Sequence, residues 1–229
     1  MKKTFWLLDV NYEVKDHQPE MWMWGIDEEG KCVLVIDRSF LTYCYLVVEE
    51  KEDPQVVIER ILSRKADFPF IVKLELVDRK FFGRTVKAVK VVCQDPDLIP
   101  KYAKGLQKIK GVKDCLEDDI RYSMRYLIDN GVAPCGWHEV EVEEIQNELG
   151  VQVDGVYLAK SYPRGIEKTE VPKLRILGFS MICYSPKGAP KPEKNPVVII
   201  SVATNTGDQK QFVSKNSEDK SLLESFINY

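Results

Sequence analysis

The chain has 229 residues, 44% of them hydrophobic and 30% charged, with a formal net charge of −3. That size and balance suit one large or two small globular domains whose core buries roughly 70% of the unfolded surface, and exclude a disordered, fibrous or globally basic chain. No apolar run reaches the roughly 20 residues of a membrane span, and MKKTFWLLDV turns charged at Asp9 before a signal-peptide core is complete, so a cytoplasmic protein with no membrane partner is expected.

The first fifty residues carry four short aromatic and β-branched runs, FWLLDVNY, MWMWGI, KCVLVI and TYCYLVVE. The turn-rich KDHQPE, DEEGK and DRSFL separate them, which predicts a β-meander or half-barrel. From Thr42 the pattern changes to strand (42–49), helix (55–64), strand (70–79), strand (85–93), helix (97–108) and strand (111–116). That order is the ferredoxin-like βαββαβ unit, which hosts single-stranded nucleic-acid binding among many other functions.

EDDIRYSMRYLIDNG (117–131) predicts a helix with Glu117, Asp118 and Asp119 at its dipole-favoured start and Gly131 at its stop. Ile120, Met124, Leu127 and Ile128 form its expected apolar stripe, with Arg121 and Arg125 on another face. Beyond Pro134, HEVEVEEI and VQVDGVYLAK predict two strands around NELG, followed by the polar linker SYPRGIEKTEVPK, so a domain boundary is expected between 131 and 172. A strand over 173–183, the loop SPKGAPKPEKNP, a strand over 197–204, a turn at Thr206–Asp208 and a short strand through Phe212 come next. Asn216-Ser217-Glu218-Asp219 resembles the cap of a last helix opening at Ser217. That helix runs only about three turns to Tyr229, so the second domain is expected to be incomplete. The fold class is α+β. The six cysteines are scattered without a C-x-x-C pair and there are two histidines, which argues for buried thiols in a reducing compartment and against a zinc site or disulfide framework.

LLDVNY (7–12), DRSF with TYCY (37–45), RKFFGR (79–84), DIRYSMRYLIDNG (119–131) and LRILGF…CYSPKG…PVVIISVA (174–203) stand in an order that resembles the N-terminal domain and the opening of the 3′→5′ exonuclease domain of archaeal family B DNA polymerases. The likeness covers nearly the whole chain, and YSPKG and PVVIISVA are similar to the crenarchaeal and thaumarchaeal replicative enzymes. It implies a template-binding domain of the uracil-recognising type over 1–134, a strand pair and linker over 135–172, and the start of an RNase H-like exonuclease domain over 173–229. It also implies a part of a DNA-directed DNA polymerase of replication, near the nucleoid, without catalytic activity or a cofactor of its own. The full polymerase would use Mg²⁺, its catalytic palm, fingers and thumb would lie in downstream domains, and a sliding clamp would be reached through the full-length protein.

In that family the first exonuclease motif reads Asp-Ile-Glu. Residues i and i+2 of a strand share a side, so the two carboxylates jointly hold metal ions that activate water against a phosphodiester. Here Ser180 and Ile182 occupy those positions, which removes both anionic ligands and predicts an inactive hydrolytic site.

The resemblance also implies a pocket that captures uracil in the template strand and excludes the C5 methyl of thymine. Carried over residue by residue, Tyr12 and Tyr43 match its tyrosines, and Ile120 and Arg125 match an isoleucine and an arginine on the helix. Ala88 stands where a valine closes the floor, and Thr42, Thr85 and Arg121 stand where the family has prolines. The smaller Ala88 predicts a looser test against thymine. Outside that family these residues have ordinary readings: Tyr12 and Tyr43 as half-buried strand aromatics, Arg125 as a solvated arginine or a partner of Asp118 or Asp129, and Ala88 as packing.

Trp22 and Trp24 share one face of a strand, suited to stacking on bases or, more simply, to core packing. The lysines of KYAKGLQKIKGVK (101–113) suit a phosphate backbone or plain solvent. Two rival readings stay open at this level: a nuclease-like domain with unfamiliar ligands, and a standalone ferredoxin-like module binding nucleic acid or protein.

Overall fold

The computed structural model describes residues 1–215 and 218–229. Asn216 and Ser217, half of the expected cap of the last helix, lie outside the described residues. The chain divides into two compact units, Met1–Pro172 and Lys173–Tyr229.

In the first unit, β1 (Lys2–Lys15), β2 (Gln18–Asp27) and β3 (Cys32–Asp37) form the antiparallel meander. The chain returns much later through β8 (Trp137–Ile145), β9 (Gly155–Ala159) and the two-residue β10 (Arg164–Gly165). β9 adds parallel to β3, β8 pairs with β9, and β8 also pairs with β1, so five strands close into a ring. The segment 135–172 thus completes the first sheet. Closure removes the exposed edges that a half-barrel would leave.

Alternation sorts the strand residues between two faces. Phe5, Leu7, Met21, Met23, Val33 and Val35 fill one cluster, while Trp22, Leu34 and Ile36 pack on the other side with Val156. Trp22 is buried and meets Trp24 edge-on, so this pair belongs to packing.

β4 (Thr42–Val48) leaves that sheet and starts the second one, followed by α1 (Pro54–Ser63), β5 (Ile71–Phe81), β6 (Arg84–Cys93), α2 (Ile99–Leu106) and β7 (Val112–Leu116). The strand order β5-β6-β4-β7, antiparallel throughout, is that of the ferredoxin-like unit. α1 begins where Asp53 accepts a hydrogen bond from the Gln55 N–H at 2.9 Å and Pro54 fixes the first turn. Val57 and Ile61, four apart, then meet Leu46, Val89 and Val91 beneath. Burying each such side chain contributes roughly 1.5–3 kcal/mol.

α3 spans Tyr122–Asn130 and ends at Gly131, whose φ of 62° suits a residue without Cβ. Its buried face differs from the expected stripe: Met124 and Ile128 are exposed, and Tyr122, Arg125 and Tyr126 are inside. Apolar spacing pointed to the wrong face because the tyrosines bury their rings and satisfy their hydroxyls. Tyr126 donates to the Asp37 carboxylate at 2.7 Å, and Tyr122 donates to the Phe40 carbonyl at 2.6 Å. The DRSF segment and the helix are thereby locked together. The helix begins after the acidic run, at an Arg121 N-cap, so Glu117, Asp118 and Asp119 lie in the connection before it.

In the second unit, β11 (Leu177–Cys183), β12 (Val197–Thr204) and β13 (Gln209–Val213) form an antiparallel sheet, and α4 (Lys220–Ile227) places Leu222 against Ile200, Val202 and Phe212.

Candidate functional site

Within the first unit, four pieces of chain bring side chains to one cleft of about 260 Å³. β1 contributes Tyr12, the start of β4 contributes Thr42, and the β6–α2 connection with the start of α2 contributes Pro96, Asp97, Ile99 and Pro100. The β7–α3 connection supplies Asp118 through Tyr122. A volume just under the roughly 300 Å³ at which drug-sized pockets begin suits one flat ring.

Each wall has a local cause. Asp95 adopts an extended conformation and accepts from the Asp97 N–H at 2.9 Å, capping a single 3₁₀ turn that leads into α2. His17, in the left-handed region with φ 61° at the tip of the β1–β2 hairpin, joins Asp95 at 2.6 Å, and its ring lies 4.0 Å from that of Phe70. Further along the same hairpin, the Tyr12 hydroxyl donates to Asp97 at 3.0 Å. The hairpin is therefore latched twice onto the proline-bracketed wall. Partial burial and the hydrogen bond to Asp97 raise the Tyr12 phenol above its usual range, so it stays neutral and donating. Its ring meets Tyr122 edge-on at 5.2 Å.

The β7–α3 connection is held by Arg125. Arg125 is 3% exposed and donates to the Glu117 carboxylate at 3.0 Å and to the Glu117 carbonyl at 2.9 Å. Glu117 has a φ of 62°, unusual for a residue with a side chain, and this double contact holds the backbone there as it turns into Asp118–Arg121. The guanidinium lies 4.0 Å from the Tyr43 ring centroid, and the Lys90 ammonium lies 3.8 Å from it. Tyr43 donates to Asp129 at 2.7 Å; burial, then this bond, drives its phenol pKa strongly upward.

Of the expected site residues, Tyr12, Thr42, Ile120 and Arg121 line the cleft, while Tyr43 and Arg125 touch each other and are not part of its lining. Two others are not brought there. Ala88 is fully buried in mid-sheet between Val47 and Val77, away from the cleft lining. Thr85 is exposed near the β5–β6 turn and borders a separate depression with Glu50 and Lys87. Sequence reasoning missed Pro96, Asp97, Ile99 and Pro100, although two prolines four apart around an apolar residue in QDPDLIP marked a rigid turn before a helix.

Three carboxylates, Asp97, Asp118 and Asp119, and one cation, Arg121, line the cleft. Such a lining repels a phosphate and admits a neutral polar ring, with Tyr12 and Tyr122 offering aromatic edges.

In the second unit, Ser180 pairs with Ser201 and Ile182 with Ile199 across β11 and β12. Ser201 in turn opposes Gln211 and Ile199 opposes Val213, so the face that carries Ser180 and Ile182 continues as neutral and apolar side chains. Gln211 donates to the Ser201 hydroxyl at 3.1 Å. Among the described residues, no group of three or more His, Cys, Asp or Glu side chains could hold a metal ion.

Residues 113–226 match the family model described as DNA polymerase family B, exonuclease domain. The chain is 32% identical to DNA polymerase 3 of Saccharolobus shibatae over 229 residues, covering 100% of this chain and 29% of that protein. It is 31% identical to DNA polymerase 2 of Aeropyrum pernix, over 98% of this chain and 28% of that one. Among solved structures it is similar to the family B DNA polymerase of the hyperthermophilic archaeon Pyrobaculum calidifontis, with a TM-score of 0.81 and 35% identity over 98% of this chain and 28% of that chain. The chain thus spans under a third of the length of these relatives.

Proposed function

The chain belongs to the archaeal family B DNA polymerases, as their N-terminal and exonuclease-domain region, and from that membership we propose that it holds single-stranded template DNA during replication and reads template bases for uracil in the cleft around Tyr12. The observation that carries this reading is the convergence of Tyr12, Thr42, Ile120 and Arg121, from three separated stretches of sequence, on one cleft with room for a base. A base would leave the stack to enter, as in other proteins that inspect single nucleotides, and its phosphates would stay outside the acidic lining. Discrimination against thymine would be steric, by the apolar walls at Ile99, Pro100 and Ile120, which a C5 methyl would have to approach more closely than a C5 hydrogen. Polymerisation, sliding-clamp binding and Mg²⁺ use belong to this proposal only through the full-length protein.

The family's exonuclease domain implies divalent metal ions, and the residues here do not fit them. Ser180 supplies one neutral oxygen, Ile182 supplies none, and their same-face neighbours add no carboxylate. We propose that this region does not hydrolyse DNA.

Titration with single-stranded oligonucleotides that differ by one uracil-for-thymine change, at matched salt, tests the first reading. Tighter binding of the uracil strand is expected, and equal affinities would overturn it, because phosphate contacts cannot tell the two apart. Incubation of labelled single-stranded DNA with Mg²⁺ tests the second, with no trimming expected; trimming that scales with protein and survives repurification contradicts it.

A further inference from the structure

We infer that the exposed lysine face of α2 and the turn after it is the track on which the phosphate backbone of single-stranded DNA lies while one of its bases occupies the cleft. The inference rests on the base-reading proposal above.

α2 buries Ile99, Tyr102, Ala103 and Leu106 against the ferredoxin-like sheet, and Ile109 follows in the next turn. That burial leaves Lys101, Lys104 and Lys108, spaced three and four apart, together on the outward face, and all three are exposed. None of them is ion-paired among the described residues, whereas Lys2, Lys31, Lys73 and Lys160 each sit within 2.8 Å of a glutamate oxygen. The stretch 101–113 also contains five lysines and no acidic residue, in a chain whose formal net charge is −3.

Its position matters as much as its charge. Ile99 and Pro100, the first residues of α2, line the cleft, so the lysine row begins at the rim. The cleft itself, with Asp97, Asp118 and Asp119, rejects phosphate, so a strand with one base inserted needs a cationic surface immediately outside. At a rise of about 1.5 Å per residue, Lys101 to Lys108 spans roughly 10 Å, which a stacked single strand covers with about three phosphates. The occupant that fits is a flexible single-stranded backbone, held by charge alone and therefore without sequence preference.

The test compares the unaltered protein with Lys101→Gln/Lys104→Gln/Lys108→Gln and with a charge-matched control, Lys31→Gln/Lys73→Gln/Lys160→Gln. Affinities for an all-thymidine strand and for the same strand with one uracil are measured across a range of salt. The α2 variant is expected to lower the slope of log affinity against log salt by about 2, at about 0.7 per phosphate on a single strand, and to leave the uracil-to-thymine ratio unchanged. The control is expected to leave the slope as it was. An unchanged slope in the α2 variant, or an equal fall in the control, overturns the track even if uracil is preferred. A slope that falls only in the α2 variant supports the track even if the protein shows no uracil preference, an outcome that would remove the base-reading proposal alone.

Discussion

Arg125 shows how a residue can matter to a cleft that it does not line. Its guanidinium stacks on Tyr43 and grips both the carboxylate and the carbonyl of Glu117, and only a planar fork makes all three contacts. Arg125→Lys is expected to cost about 1–3 kcal/mol, read by urea denaturation, because one end of a buried polar cluster is left unmatched and Glu117 relaxes. The same variant should bind a uracil-containing strand more weakly, and full affinity would show that the brace is irrelevant to the cleft. His138 makes a second prediction at this scale. It is 1% exposed, and among the described residues its Nε2 has no partner, so burial holds its pKa below the ordinary value. As pH falls through about 6.5 the unfolded chain takes up a proton that the folded chain resists, so stability is full above that pH and declines below it. Urea midpoints at descending pH should show this decline, and His138→Gln should flatten it.

At the scale of elements, the β1–β2 hairpin does most to position the site. Gly25 opposes Leu7 beside an irregularity in register between Leu7 and Asp9, and a Cβ there would meet the Trp6 carbonyl oxygen and the Phe5 ring at 2.5 Å. Backbone cannot retreat as a flexible side chain can, so Gly25→Ala is expected to destabilise the first unit by more than about 2 kcal/mol in thermal or urea melts. A near-neutral result would mean that the two strands are less tightly joined than this. At the tip, His17→Ala frees one latch on the cleft wall; a fold of unchanged secondary structure with a reduced uracil-to-thymine ratio is the expected outcome, checked by circular dichroism and titration. The ferredoxin-like order was legible because its two helices and four strands alternate with clean turn residues. Closure of the ring was not, because the pairing of β1 with β8 joins residues more than 130 positions apart and leaves no local signal. The buried face of α3 was misread for a different reason: its tyrosines and Arg125 bury polar groups whose partners, Asp37, Phe40 and Glu117, lie on other elements.

Across the whole molecule, each unit carries its own core, and the stretch 166–176 between them has no helix or strand. Trypsin under native conditions should cut first at Lys173 or Arg175, or in the loop at Lys187 or Lys194, and leave Met1–Pro172 whole. Early cuts inside Met1–Pro172 would contradict the division. The family was legible from motif order, and so was part of the cleft: Tyr12, Thr42, Ile120 and Arg121 were found by matching, while Pro96, Asp97, Ile99 and Pro100 emerged only when the stretch leading into α2 was seen to line the same cleft as Tyr12. Ala88 does not line the cleft because it sits in mid-sheet on β6, fully buried between Val47 and Val77. The central claim is that this cleft, and no other surface, reads the base. Its most direct test is the uracil-to-thymine affinity ratio measured side by side in the unaltered protein and in Ile120→Trp, which fills the cleft from its half-buried wall. A ratio well above one that collapses to one in the variant, while salt-dependent binding persists, is the predicted result; a ratio that is one from the start, or that survives the filling, contradicts the account.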